Sequence, residues 1–329
     1  MDRNARIYVA GHRGLVGSAL VRALTQAGCT ALILRTREEL DLRSQQDTER
    51  FFRQERPQYV FLAAARVGGI LANSTYPAEF IRDNLLIHTN VIDCAYQHGT
   101  RKLLYLGSSC IYPKFAPQPI KEDSFMTGPL EPTNDAYATA KIAGIRMVQA
   151  YRQQYGFCGI SLMPTNLYGP GDSYDLEKSH VLPALIRRFH EAHAQGAAQV
   201  TVWGSGTPRR EFLYVDDLAE AVLLLMETYD SSEIINVGTG EDISIRELAE
   251  LVKRIVGYQG RIVFDASKPD GTPRKLLDVT RVRELGFRPR TPLEQGIRMA
   301  YQAYVQRVAD AGREQDGQRP AASPCARLP

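Results

Sequence analysis

What most narrows the folds open to this chain is a run of three glycines set between a strand and a helix. Ala5 to Ala10 reads as a short apolar strand, Gly11-His12-Arg13-Gly14-Leu15-Val16-Gly17 follows with the spacing G-x-x-G-x-x-G, and a helical pattern then runs to about Ala27. Glycine allows a tight turn and a close backbone approach that a Cβ would block, so a pyrophosphate can rest on free N–H groups at the helix start. A glycine loop alone marks only a turn. The strand before it and the helix after it make it a dinucleotide site, lined by Gly11, His12, Arg13, Gly14, Leu15, Val16 and Gly17.

The next strand, Ala31 to Leu34, ends in Arg35-Thr36-Arg37, roughly twenty residues past the loop, where NAD binders usually place a carboxylate for the ribose hydroxyls. Here that position is basic. Arg35 and Arg37, with Arg13, suit a 2′-phosphate that a carboxylate would repel, so NADP(H) is the expected cofactor. The ordinary alternative, a solvated surface charge, is expected for at least one of the three. Asp41 follows and is a candidate partner for the adenine amino group.

Further along, strands and helices alternate as in a parallel sheet with crossovers. Tyr59 to Ala64, Leu103 to Leu106 and Cys158 to Met163 read as strands, Pro77 to His98 and Asp135 to Tyr155 as helices. His180 to His193 and Ser244 to Val256 also read as helices, and Val200 to Trp203, Arg261 to Phe264 and Asp270 to Lys275 as strands. Phe212 to Met226 and Ile234 to Val237 read as a returning helix and strand of the first domain. The expected fold is α/β, a Rossmann-type doubly wound parallel sheet with a smaller, discontinuous α/β substrate lobe. Residues 1–168 and 212–240 would form the NADP-binding domain and 169–211 and 241–308 the lobe. Residues 309–329, rich in Gly, Gln, Pro and Arg, are expected to be disordered.

Between the glycine loop and the lobe lies the second chemical signal. Leu106-Gly107-Ser108-Ser109-Cys110 ends the strand that starts at Leu103, and Tyr137 and Lys141 lie four apart on the helix that follows. That spacing puts phenol and ammonium on one face, where the cation favours the phenolate. A serine at the strand end can hydrogen-bond the same carbonyl on which the tyrosine acts. Tyr-x-x-x-Lys alone is usually an exposed pair, and a cysteine after a strand is more often a small buried hydrophobe. Their coincidence with the glycine loop favours chemistry.

Composition narrows the partners. With 329 residues the chain exceeds one usual core. A net charge of +3 with scattered arginines does not favour nucleic acid, whereas a small anionic substrate fits. The five cysteines have no C-x-x-C spacing, so neither a disulfide framework nor a metal site is expected. Asp2 and Arg3 precede a core strand and no apolar run suits export or membrane spanning, so a cytoplasmic location is expected.

Five segments together carry a resemblance. They are Val9-Ala10-Gly11-His12-Arg13-Gly14, Ser108-Ser109-Cys110-Ile111-Tyr112-Pro113-Lys114, Tyr137 with Lys141, Pro164-Thr165-Asn166-Leu167-Tyr168-Gly169, and Trp203 to Phe212. From about Arg6 to about Tyr304 the chain resembles the extended short-chain dehydrogenase/reductase family, in its branch of GDP-sugar epimerase-reductases. The Ser-Ser-Cys strand end and Ser179-His180-Val181 are the specific parts.

The resemblance implies epimerisation of GDP-4-keto-6-deoxy-D-mannose at C3 and C5, then NADPH reduction at C4 to give GDP-L-fucose. It makes Cys110 the base and His180 the acid, with Ser108 and Tyr137 on the C4 oxygen and Tyr137 the later proton donor. Lys141 would bind the nicotinamide ribose and lower the Tyr137 pKa. Leu106, Gly107, Ser108, Pro164, Thr165, Asn166, Leu167 and His180 would complete the cofactor contacts. Arg188 and Arg210 would clamp the diphosphate, Trp203 would stack on the substrate and Asp270 would meet ribose or guanine. Lys275 is a lesser candidate, and either Arg209 or Arg210 is expected to serve the surface.

Rival activities are a 4,6-dehydratase, disfavoured by Ser109 and Cys110 where acidic residues belong, and an NAD-retaining 4-epimerase, disfavoured by Arg35 and Arg37. A sister enzyme making GDP-L-colitose or another GDP-deoxysugar stays open, as does a non-catalytic NADPH-sensing protein. Helices near Leu85 to Ala95 and Tyr137 to Tyr151, apolar on more than one face, lead to the expectation of a homodimer.

Overall fold

The structure is a computed structural model that describes residues 1–176, 179–268 and 270–315. In chain order the strands are β1 (Ile7–Ala10), β2 (Leu32–Ile33), β3 (Tyr59–Leu62), β4 (Lys102–Leu106), β5 (Gly159–Pro164), β6 (Asn166–Tyr168), β7 (Gln199–Trp203), β8 (Arg209–Tyr214), β9 (Ile235–Val237), β10 (Asp242–Ser244), β11 (Arg261–Asp265) and β12 (Arg274–Lys275). Six of them form one sheet in the order β2-β1-β3-β4-β5-β9, every pair parallel. Its strands are short apolar runs buried on both faces, as a parallel sheet covered by helices requires. Helices Leu15–Gln26 and Val215–Thr228 pack together as one covering layer, and Pro77–Gln97 and Asp135–Tyr155 as another. This is the Rossmann-type arrangement that the alternating pattern predicts.

Because β1 lies between β2 and β3, the chain winds outward in opposite directions from that pair. A crevice opens beyond the carboxyl ends of the strands there, which is where such sheets bind ligands. The glycine loop, Ala63 to Ala65, Gly107-Ser108 and Thr165 all leave strand ends into it.

A second group of strands faces the crevice. β8 pairs antiparallel with β10 and parallel with β6 and β12, and β7 pairs parallel with β11. Their core joins Leu182, Leu185, Ile186 and Phe189, spaced for one helix face, to Leu248, Ala249 and Val252 of helix Ile245–Val256. Ser244 and Glu247 close that second helix with a reciprocal capping box.

Four expectations change. Phe212 to Tyr214 are strand rather than helix, because all three bury against β6, and the helix begins at Val215. Only Arg274–Lys275 of the stretch from Asp270 pairs in a ladder. Leu277, Val279, Val282 and Phe287 pack into the first core, so the chain returns there from within the expected 241–308 lobe segment. Residues 309–315 continue a helix, Leu293–Gln315, because Ile297, Ala300 and Tyr304 at helical spacing dock it on the second core; residues 316–329 lie outside the described residues. Among the described residues no helix is long and apolar enough to cross a membrane.

Candidate active site

The crevice is one continuous cavity of about 1250 Å³ running from the glycine loop to Asp270, larger than the several hundred Å³ that one small ligand usually fills. At its cofactor end, Gly11 has φ +82° and a Cβ there would lie 2.9 Å from Ala64 Cα. A Cβ on Gly17 would come within 2.1 Å of the Gly11 carbonyl oxygen. Helix Leu15–Gln26 has no side-chain cap at Gly14, so its first N–H groups face the cavity without a side-chain partner. This cradle fits a pyrophosphate. Leu15, Val16, Leu106, Gly107, Pro164, Thr165, Asn166 and Leu167 also line the cavity.

The basic cluster divides. Arg35 donates to the Glu55 carboxylate at 2.6 Å and to the Leu34 carbonyl at 2.9 Å, so it is already engaged. Asp41 is held by Arg43 at 2.6 Å, which with Arg37 keeps its carboxyl low, at about 2, despite partial burial. Arg13 and Arg37 are exposed, and both add a little to the lowering of the Glu38 carboxyl, which its own backbone N–H and Thr36 mainly cause. His12 and Arg13 do not line the cavity, whereas Arg35, Arg37 and Asp41 do. Arg43, absent from the sequence reading, also lines it.

At the centre, Ser108 leaves β4 in extended conformation and its hydroxyl accepts the Cys110 N–H at 3.2 Å, fixing the 3-10 turn Ser109–Ile111. That turn points the thiol inward. Asn134 Nδ2 lies 3.5 Å from Cys110 Sγ and Lys275 Nζ 3.4 Å from it. Burial raises a thiol, yet Lys275, the Ser108 contact and Arg210 outweigh it and leave Cys110 below its ordinary value. Tyr137 lines the same cavity, and burial and Cys110 push its phenol up while Ser108 pulls it the other way.

Lys141 is tied to the end of β4. Its ammonium donates to the Leu106 carbonyl at 2.6 Å and lies over the Tyr137 ring, 5.8 Å from the centroid. Burial brings it down to about 7. Burial disfavours the charged form of the phenol as well as of the ammonium.

His180 precedes helix Val181–Ala194 and is reached from inside the cavity. Although His180 is exposed, partial desolvation at the cavity wall and the nearby Lys275 lower its imidazole below the ordinary value. Beyond it, Arg188 lies 5.2 Å over the Trp203 ring and donates to the Thr201 carbonyl at 2.9 Å. Arg210 reaches the Arg209 carbonyl at 2.8 Å, while Arg209 turns away to Asp242 at 2.7 Å and is the structural member of the pair. Asp270 accepts the Ser205 N–H and hydroxyl, both at 2.8 Å, and so braces the Gly204-Ser205 turn at the cavity edge.

Glu131, Asn134 and Asp172 line the same cavity and were not read from the sequence. Asn134 is findable because it directly precedes the Tyr137 helix. Glu131 and Asp172 carry no motif. Among the described residues no group of three or more His, Cys, Asp or Glu side chains gathers as metal ligands.

Residues 7–238 match the model of the NAD dependent epimerase/dehydratase family. The chain is 61% identical to probable GDP-L-fucose synthase 1 of Oryza sativa subsp. japonica, covering 94% of this chain and 95% of that one. To GDP-L-fucose synthase of Escherichia coli (strain K12) it is 55% identical, covering 92% and 97%. An NADP-bound GDP-L-fucose synthetase of Naegleria fowleri superposes with a TM-score of 0.86 at 30% identity, over 94% of this chain and 96% of that one. By that coverage and identity the chain belongs to the NAD dependent epimerase/dehydratase family, in the group that includes the GDP-L-fucose synthases.

Proposed function

We propose that this enzyme converts GDP-4-keto-6-deoxy-D-mannose to GDP-L-fucose, inverting C3 and C5 and then reducing C4 with NADPH. The main support is one juxtaposition: a lowered thiol and a raised phenol line a single cavity with Ser108, whose hydroxyl accepts the Cys110 N–H. Each of C3 and C5 adjoins the C4 carbonyl, so loss of either proton leaves an enolate that donors to O4 stabilise. Cys110 takes the proton as thiolate, breaking C–H and forming S–H, while Ser108 and Tyr137 donate to O4. His180 returns a proton from the other side. The negative charge of a bound diphosphate favours the imidazolium this needs, against the desolvation and the Lys275 charge that lower the free group.

NADPH supplies the hydride to C4, on the pyrophosphate cradle at Gly11 to Gly17. Tyr137 gives O4 its proton, and the upward shift from burial keeps the phenol protonated and able to donate near neutral pH. Lys141, fixed by the Leu106 carbonyl, is placed for the nicotinamide ribose. Arg13 and Arg37 receive the 2′-phosphate, Arg35 being committed to Glu55. Arg188 and Arg210 hold the diphosphate, with Trp203 and Asp270 at the nucleoside end. Leu86 and Tyr155, exposed on helices Pro77–Gln97 and Asp135–Tyr155, favour a homodimer built on those helices.

The test is incubation with NADPH and a panel of GDP-4-keto sugars, with products identified by NMR. GDP-L-fucose from GDP-4-keto-6-deoxy-D-mannose is expected. Turnover of only a different keto sugar would replace the proposed substrate, and no turnover of any would leave a non-catalytic NADPH binder.

A further inference from the structure

Lys275 and Arg210 stand directly opposite each other where β12 and β8 pair in parallel. Two like charges facing across a ladder repel, so the arrangement persists at a cost unless an anion sits between or beside them. Glu211, fully buried, holds the strand in this register from behind. One carboxylate oxygen accepts the Leu277 N–H at 2.9 Å, and the other accepts the N–H groups of Thr239 at 2.6 Å and Gly240 at 2.8 Å. So anchored, Lys275 places its ammonium 3.4 Å from Cys110 Sγ.

We propose that Lys275 is a positioning residue for Cys110, holding its sulfur as a thiolate aimed into the cavity. The proposal rests on the reading of Cys110 as the base. The charged and titratable groups around the sulfur are Lys275 on β12, Arg210 on β8, and Tyr137 and Lys141 on the helix. His180 lies near Lys275, and Glu131 acts on Arg210. Lys141 is drawn off by the Leu106 carbonyl, and Arg210 by two carbonyls, those of Arg209 and Asp270. Lys275 is thus the cation in direct contact with the sulfur. Asn134, at 3.5 Å, adds a neutral donor that orients it.

The measurement is site-specific alkylation of Cys110 by iodoacetamide, followed by peptide mass spectrometry from pH 5 to pH 10 without substrate. Lys275→Gln should raise the alkylation midpoint by about one unit and slow the reaction at pH 7 about tenfold, while Lys275→Arg stays near the unmodified profile. Solvent deuterium exchange into the sugar should fall about as much at pH 7 in Lys275→Gln and recover towards pH 9, with NADPH affinity unchanged. An unmoved alkylation profile with a raised sugar-nucleotide KM would overturn the proposal and make Lys275 a diphosphate ligand. If the Lys275 variants lose NADPH binding through misfolding, the unmodified protein still decides. Its thiolate absorbance at 240 nm, taken as a difference from Cys110→Ser, must have a midpoint below the ordinary value of about 8.5; one at or above it refutes the role. A shifted alkylation profile in a protein that makes no epimerised product would leave Lys275 standing and remove the proposed reaction instead.

Discussion

The two walls of the cavity are made of different materials. The cofactor wall is backbone: Gly11, Gly17 and Gly107 sit where a Cβ would strike Ala64, the Gly11 carbonyl or Met163. Around them stand apolar side chains and uncapped helix N–H groups. The sugar-nucleotide wall is side-chain charge, with Arg188, Arg210 and Lys275 carried by a helix and two short strands and interleaved with Trp203. A backbone wall recognises shape and tolerates almost no change. A wall of long cations recognises charge, and each member can be removed at a graded cost.

That contrast breaks first at Gly17. In Gly17→Ala the new methyl lies 2.1 Å from a backbone oxygen that has no rotamer to escape by. Thermal unfolding should show a loss of roughly 3 kcal/mol, and fluorescence titration should show NADPH binding lost. An unchanged Tm and Kd would mean the wall is not set by backbone contact. Arg210→Ala tests the other wall without collapse. Its KM for the sugar nucleotide should rise about a hundredfold, in line with the ~2–5 kcal/mol cost of removing one partner from a buried charge pair, while NADPH affinity stays put. A normal KM would move Arg210 off the substrate.

Asp172 lies between the walls, on the loop whose Gly171 packs on Ser18 of the first helix. Burial raises its carboxyl from 3.8 to about 7, and Oδ2 has no partner. The folded state therefore binds this proton more tightly than the unfolded chain. The contribution is fully favourable below pH 4 and is lost as pH rises towards 7. Asp172→Asn should remove that loss and gain about 2 kcal/mol over the unmodified protein on going from pH 5 to pH 7. Chemical denaturation at the two pH values checks this; a constant difference would place the Asp172 carboxylate in water. The smallest effect belongs to Arg37, a charge on the backbone wall. Arg37→Ser should erode the NADPH preference over NADH about tenfold, or ~1.4 kcal/mol. Equal kcat/KM for both cofactors in the unmodified protein would remove the 2′-phosphate role from Arg13 and Arg37 alike.

The same division explains what could be read from the sequence. The glycine loop, the Ser108 to Cys110 strand end and the Tyr137–Lys141 pair are local, because each depends on neighbours within one turn or one helix. The sugar-nucleotide wall joins residues 188, 203, 210 and 275, of which the pairing of β12 with β8 brings 210 and 275 together and a cation–ring contact joins 188 to 203. Lys275 thus reads as a marginal charge in sequence and as the nearest cation to a thiol in space. Arg35 and Lys141 have partners the sequence does not show, a carboxylate on a distant helix, Glu55, and a strand-end carbonyl, Leu106. Phe212 to Tyr214 resembled the start of a helix because a strand buried on both faces shows no period of two.

The central claim is that one cavity separates proton movement at the sugar carbons from hydride reduction, with Cys110 serving the first and Tyr137 the second. Its direct test is deuterium incorporation at C3 and C5 in D2O by NMR, read beside NADPH absorbance, for Cys110→Ser and Tyr137→Phe. Loss of exchange in the cysteine variant with NADPH binding intact is expected. The tyrosine variant should oxidise NADPH about a thousandfold more slowly while retaining exchange through Ser108. Exchange and reduction at unmodified rates in Cys110→Ser would contradict the account.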